Sequence, residues 1–159
     1  EITGAATWGP CTYQEGIPDM FWYGIHGIEG LFTLMGGGCQ SVTRASADGA
    51  DLLTGIWKDG RIGTYRGIRQ GKGDFGATAF GEKGIATVGR ESAYEALCAQ
   101  IATFFQTRVP PVPSADTIEI FAFMEAADES KRRGGVPVSL EDIRRTATQE
   151  AMLKVKEVR

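Results

Sequence analysis

Histidine is nearly absent from this chain: among 159 residues, only His26 carries an imidazole. One histidine rules out zinc sites built on histidine pairs, and no serine stands in a G-x-S-x-G nucleophile elbow. Cysteine is scarce too. Cys11, Cys39 and Cys98 are odd in number and far apart, which suits neither a disulfide framework nor a C-x-x-C pair. They are expected to be free, buried thiols, and no metal site is expected. No apolar run approaches the roughly 18 residues of a membrane span. The formal net charge is -3, and the one basic run is Lys131-Arg132-Arg133, so neither a membrane nor a nucleic-acid partner is expected. An initiator methionine and a signal segment are also missing. The chain opens on Glu1-Ile2-Thr3 and is therefore expected to begin inside a larger protein, soluble and cytoplasmic by default.

What is present suits one globular domain: 42% hydrophobic and 23% charged residues over a length that can bury a core. Short β-like runs cover residues 2–8, 41–47, 50–58, 61–69, 75–80 and 85–88, separated by glycine-rich links. Asp59-Gly60 is the clearest turn signal and predicts a two-residue type I′ hairpin. Links this short predict an antiparallel meander. Helical periodicity then takes over at 91–107, where Tyr94, Leu97, Cys98, Ile101, Phe104 and Phe105 form one face. A largely buried helix is expected from about Asp116, with Asp116 and Glu119 as a near capping box and Gly134-Gly135 as its stop. Residues 136–138, with Pro137, suit an edge strand, and Ser139 with Asp142 suits the cap of a last polar helix. The sum is an α+β domain: a predominantly antiparallel, open-faced sheet with helices packed on one face. An apolar outer face would make it a homo-oligomer surface, because bare apolar sheets seek partners.

One stretch organises the rest, residues 19–38. On a helix, Phe21, Ile25, Ile28, Phe32 and Met35 form an apolar stripe, and Asp19, Trp22, His26, Glu29 and Thr33 form a polar row beside it. Gly36, Gly37 and Gly38 end it. Such a helix would line a pocket. His26 has two readings, a structural histidine satisfied by a backbone carbonyl or an acid–base group, because imidazole ordinarily titrates nearest to neutral pH. Glu29 could orient the ring or be solvated, Trp22 could stack on a sugar or fill a core, and Asp19 could be an N-cap. Gly71-Lys72-Gly73-Asp74-Phe75-Gly76 matches G-x-G-x-x-G literally, but it leads into a strand where a dinucleotide site needs a helix N-terminus. No cofactor-binding residue is expected in this chain.

Three segments together resemble a known family: the helix Tyr23-Gly24-Ile25-His26-Gly27-Ile28-Glu29, the Trp57-Lys58-Asp59-Gly60-Arg61 hairpin, and residues 117–130. The chain resembles the C-terminal domain of the Gfo/Idh/MocA oxidoreductases over roughly residues 2–143. The resemblance implies a substrate and oligomerisation domain at 1–143, a polar helical tail at 144–159, and an N-terminal Rossmann domain that this chain lacks. It implies NAD or NADP bound in the full-length protein, a sugar or polyol substrate, and a homo-oligomer joined through the open sheet face. His26 aligns with the family's catalytic histidine and Glu29 with its trailing acid. Trp22 stands where the family has aspartate, so His26 either works without that partner or Asp19 partly replaces it. The implied site is His26 as catalytic residue, with Asp19, Trp22, Tyr23 and Glu29 on the substrate. The alternative is a non-catalytic sugar-binding or assembly module of the same fold.

Overall fold

The computed structural model describes residues 1–89 and 94–157. Its strands are β1 (Ile2–Pro10), β2 (Cys39–Ala47), β3 (Ala50–Trp57), β4 (Ile62–Ile68), β5 (Gly76–Gly81), β6 (Gly84–Gly89) and β7 (Val138–Ser139). Its helices are α1 (Gly24–Met35), α2 (Tyr94–Thr107), α3 (Ser114–Arg132) and α4 (Leu140–Glu157). All the strands share one sheet in the order β6-β5-β1-β4-β3-β2-β7, antiparallel except for β1 beside β4. The expected α+β architecture with a mostly antiparallel open sheet is therefore the one observed.

The meander is interrupted, however. β2, β3 and β4 follow one another as expected, but β1 lies between β4 and β5. The link 69–75 is long enough to step across one strand, a distance of about 10 Å. The hairpin at Asp59-Gly60 also differs from type I′. Only Gly60 takes a positive φ, at 85°, while Gly60 N–H donates to Trp57 O and Trp57 N–H to Arg61 O. Lys58, Asp59 and Gly60 thus form a three-residue turn with the left-handed position last.

Alternation assigns the faces. Asp51, Leu53 and Trp57 on β3 and Tyr65 on β4 are buried under the helices, whereas Leu52, Ile56 and Ile62 point outward and are substantially exposed. The core joins α1, the inner sheet face and α3 through Ile28, Leu31, Phe32, Trp57 and Phe123, with the Phe32 ring 5.5 Å from Phe123 and 5.6 Å from Trp57. Close approach of α1 to the sheet depends on Gly27, where a Cβ would lie 2.1 Å from the Tyr65 ring.

Several local expectations need correction. α1 does not begin at Asp19: a 3-10 turn covers Asp19–Phe21, the chain breaks at Trp22-Tyr23, and the helix runs from Gly24. The proposed capping box of α3 is absent, because Glu119 Oε1 accepts from the backbone N–H of Gly38 (2.6 Å) and Cys39 (2.8 Å) and secures the glycine turn instead. α3 buries Ala122, Phe123, Met124, Ala126, Ala127 and Ser130, while Ile118 and Phe121 near its start are exposed. The expected start of α2 at Glu91 lies outside the described residues. Its described apolar face is entirely unburied, so Cys98 is exposed, while Cys11 and Cys39 are buried as expected. The tail helix α4 is mostly exposed beyond its first turns, and its last expected residues, 158–159, lie outside the described residues.

Beneath the start of α1 lies a charge cluster that sequence reading did not single out. The fully buried Arg44 side chain donates from Nε to Asp51 (2.8 Å), from Nη2 to Asp19 (2.5 Å), and from Nη1 to Asp128. Arg69 binds the other oxygens of Asp19 (2.6 Å) and Asp51, and Lys131 also reaches Asp19. Against the cost of burial, the hydrogen bonds and charges of Arg44 and Arg69 hold the Asp19 and Asp51 carboxyls below their ordinary range. Asp128 goes the other way: burial, with Asp19 and Glu125 nearby, pushes it up to about 6 despite Arg44.

Candidate functional site

α1 carries His26 and Glu29 along the edge of its buried stripe, one turn apart. Thr7 Oγ1 donates to Gly27 O at 2.9 Å and anchors this turn to β1. Beside it opens a cavity of about 650 Å³, walled by Thr7, Tyr23, His26, Glu29, Phe75 and Tyr94, with Trp8, Asp74 and Val88 also on its lining. That volume accommodates a ligand the size of a sugar.

Within the cavity, His26 Nδ1 lies 3.3 Å from Glu29 Oε2. Both side chains are about half exposed, at 56% and 52%. The imidazole is flanked by two rings seen edge-on, Tyr23 at 5.7 Å and Phe75 at 6.1 Å. Among the described residues, Nε2 has no hydrogen-bond partner. The arrangement leaves one imidazole nitrogen oriented by a carboxylate and the other open to a ligand.

The five expected site residues divide into two groups. His26, Glu29 and Tyr23 share the cavity. Trp22 does not line it; this ring is 42% exposed and packs edge-on against Tyr23 at 6.1 Å. Asp19 lies in the charge cluster with Arg44, Arg69 and Lys131. Because the 3-10 turn and α1 are separate, the row expected from Asp19 to Thr33 is continuous only from His26 onward.

Sequence reading missed Thr7, Phe75 and Tyr94. The glycine-rich run contained the signal for Phe75. A glycine of β1 and one of the run build this rim: a Cβ at Gly9 would meet the Phe75 ring at 2.5 Å, and one at Gly76 would meet Trp8 at 2.1 Å. The run then enters β5, and no helix N-terminus follows it to receive a pyrophosphate. The residues of the glycine run therefore do not fit a nicotinamide dinucleotide. Among the described residues, no group of three or more histidine, cysteine or acidic side chains could hold a metal. No described helix is long and apolar enough to cross a membrane.

No protein-family model matches the chain, and no curated protein resembles it in sequence. Solved structures do share its fold, and they are dehydrogenases of the Gfo/Idh/MocA type. Scyllo-inositol dehydrogenase from Lactobacillus casei, with NAD(H) and scyllo-inositol bound, superposes with a TM-score of 0.70 at 10% identity, over 89% of this chain and 57% of its own. GenD2 from gentamicin A biosynthesis, in complex with NAD, gives 0.71 at 14% identity over 87% and 55%. The WlbA dehydrogenase from Bordetella pertussis, with NADH and UDP-GlcNAcA, gives 0.62 at 16% identity over 87% and 54%. At these identities the likeness is one of fold, a dehydrogenase C-terminal-domain-like fold, and the chain spans little more than half of each.

Proposed function

We propose that this chain is the substrate-binding half of an NAD(P)-dependent oxidoreductase acting on a sugar or polyol, with His26 as the proton acceptor. One observation carries the reading: the sole imidazole stands in the wall of a sugar-sized cavity, with Glu29 on Nδ1 and an open Nε2. Oxidising a carbinol removes a hydride from carbon and a proton from oxygen. A nicotinamide held outside these residues would accept the hydride. His26 takes the hydroxyl proton at Nε2, while Glu29 keeps the Nδ1 proton in place and offsets the imidazolium charge that forms. Tyr23 supplies a hydroxyl at the rim, and the rings of Phe75 and Tyr94 supply apolar walls for a sugar ring. Trp22, packed on Tyr23, and Asp19, held by Arg44, Arg69 and Lys131, stand outside the cavity and support it through their neighbours. The exposed Leu52, Ile56 and Ile62 are the surface for homo-oligomer assembly.

The dehydrogenases of the same fold, solved with NAD(H) and with scyllo-inositol or a UDP-sugar acid, support this reading. The chain by itself is expected neither to turn over polyols nor to bind NAD or NADP. Calorimetric titration of the 159-residue chain with both nucleotides checks this, and tight binding of either would contradict the assignment. Trp22 favours a second reading, a non-catalytic sugar-binding or assembly module, because the family's aspartate is missing four residues before His26. A Rossmann fingerprint with a nearby lysine motif in the encoding region upstream supports the enzyme, and their absence supports the module.

A further inference from the structure

The two edges of the sheet are built differently. At one end β7 is two residues long, follows Pro137 and packs against α4, which is how proteins close an edge to pairing. At the other end β6 runs for six residues, Gly84-Ile85-Ala86-Thr87-Val88-Gly89, exposed throughout. It contains no charge and no proline, and its register with β5 has no irregularity. Among the described residues nothing pairs with its far side. Every second residue there presents an N–H and a C=O with no strand to receive them.

The outer face indicates which strand fits. Register places Thr43 beside Thr54, Thr54 beside Thr64, Thr64 beside Ala6, Ala6 beside Thr78, and Thr78 beside Thr87. A threonine row thus crosses the sheet with one alanine in it and ends at the open edge. Its last step is already bonded, with the Thr78 and Thr87 hydroxyl oxygens 3.0 Å apart. An antiparallel copy of β6 with Thr87 opposite Thr87 repeats that step. This register also sets Ile85 opposite Gly89 and Ala86 opposite Val88, so no two bulky residues oppose each other. Centring the pair on Ala86 would place Ile85 against Thr87 and break the row.

We propose that β6 pairs antiparallel with β6 of a second copy of this chain, Thr87 facing Thr87 across the two-fold axis, so that two sheets become one. This isologous contact is independent of the dehydrogenase reading. A six-residue strand pair buries less than the roughly 1,000 Å² of a self-sufficient interface. It therefore works together with the outer face, whose Ile56, Ile62, Phe80 and Ile85 row becomes twice as wide in the joined sheet.

Cysteine cross-linking tests the register. Opposed residues in an antiparallel pair have Cα atoms about 4.5–5.5 Å apart, inside the span of a disulfide. In a Cys98→Ser background, Thr87→Cys is expected to oxidise mostly to a covalent dimer on a non-reducing gel, and Ile85→Cys several-fold less. Thr87→Lys, which sets two like charges opposite each other, is expected to halve the sedimenting mass of the assembly with an unchanged circular dichroism spectrum. The proposal is overturned if Thr87→Cys remains monomeric at the highest soluble concentration, or if Ile85→Cys cross-links equally well. Should Thr87→Lys fail to fold, cross-linking alone decides.

Discussion

The half of the molecule formed by α1, α3 and strands β2 to β4 satisfies itself, whereas the half formed by β5, β6 and α2 does not. In the first, Trp57, Tyr65 and Phe123 are fully enclosed and Arg44 meets three carboxylates. In the second, Leu97, Phe105, Ile85 and Val88 are more than half exposed, and α2 buries no residue. The His26 cavity lies on the seam, with α1 on one side and Phe75, Val88 and Tyr94 on the other. The difference teaches that burial and the walls of the cavity are held in largely separate places. The enclosed half holds the helix that carries His26, and the other half keeps apolar surface that nothing among the described residues covers.

Substitutions should respect this division. Arg44→Met has the largest expected effect, a loss of about 3–5 kcal/mol, because it takes the Arg44 cation from the partly buried Asp128 and leaves the buried Asp51 with Arg69 alone; urea unfolding measures it. Gly27→Ala comes next at about 1–3 kcal/mol, since its methyl would overlap the Tyr65 ring and lever α1 away from the sheet. The same variant should disturb the His26–Glu29 geometry, visible as altered imidazole resonances of the one histidine.

Acidity separates the charge cluster by sign. The carboxyls of Asp19 and Asp51 are lowered from 3.8, so their stabilisation is complete above that value and lost as pH falls through the lower folded-state values. Asp128 is raised to about 6, so its contribution is complete below 3.8 and lost as pH rises through 6. Thermal melts should therefore peak near pH 4 and decline between about pH 4 and 6. Asp128→Asn should flatten the alkaline side of that maximum and leave the acid side in place. The smallest effect belongs to the exposed half: Phe105→Ser should change unfolding free energy by no more than about 0.5 kcal/mol, because the ring is 77% exposed and meets Phe104 on its own helix.

Local chemistry made much of this fold legible. Alternation located β2, β3 and β4 within a residue or two, the triple glycine located the end of α1, and the 3.6-residue period located Ile28, Phe32 and Met35 in the core. Long-range pairing escaped it. Nothing around residues 2–8 tells that this strand inserts between β4 and β5, because insertion depends on two partners far along the chain. Nothing in the sequence marks Arg44, Asp51, Arg69 and Asp128 as partners until the fold brings them together. Asp19 is held in that cluster, the 3-10 turn is separate from α1, and Asp19 and Trp22 fall outside the cavity that His26 and Glu29 share. The helical period of α2 was legible too, but a period shows that a face is apolar and not what covers it.

Turnover with and without the imidazole tests the proposed role of this chain most directly. In the full-length oxidoreductase proposed above, His26→Asn should lower kcat by about a hundredfold to ten-thousandfold, the range of a lost general base. The Kd for NAD or NADP should stay within a factor of two or so, because no described residue near His26 suits the dinucleotide. A His26→Asn enzyme that retains its kcat would contradict the assignment of His26 as the proton acceptor.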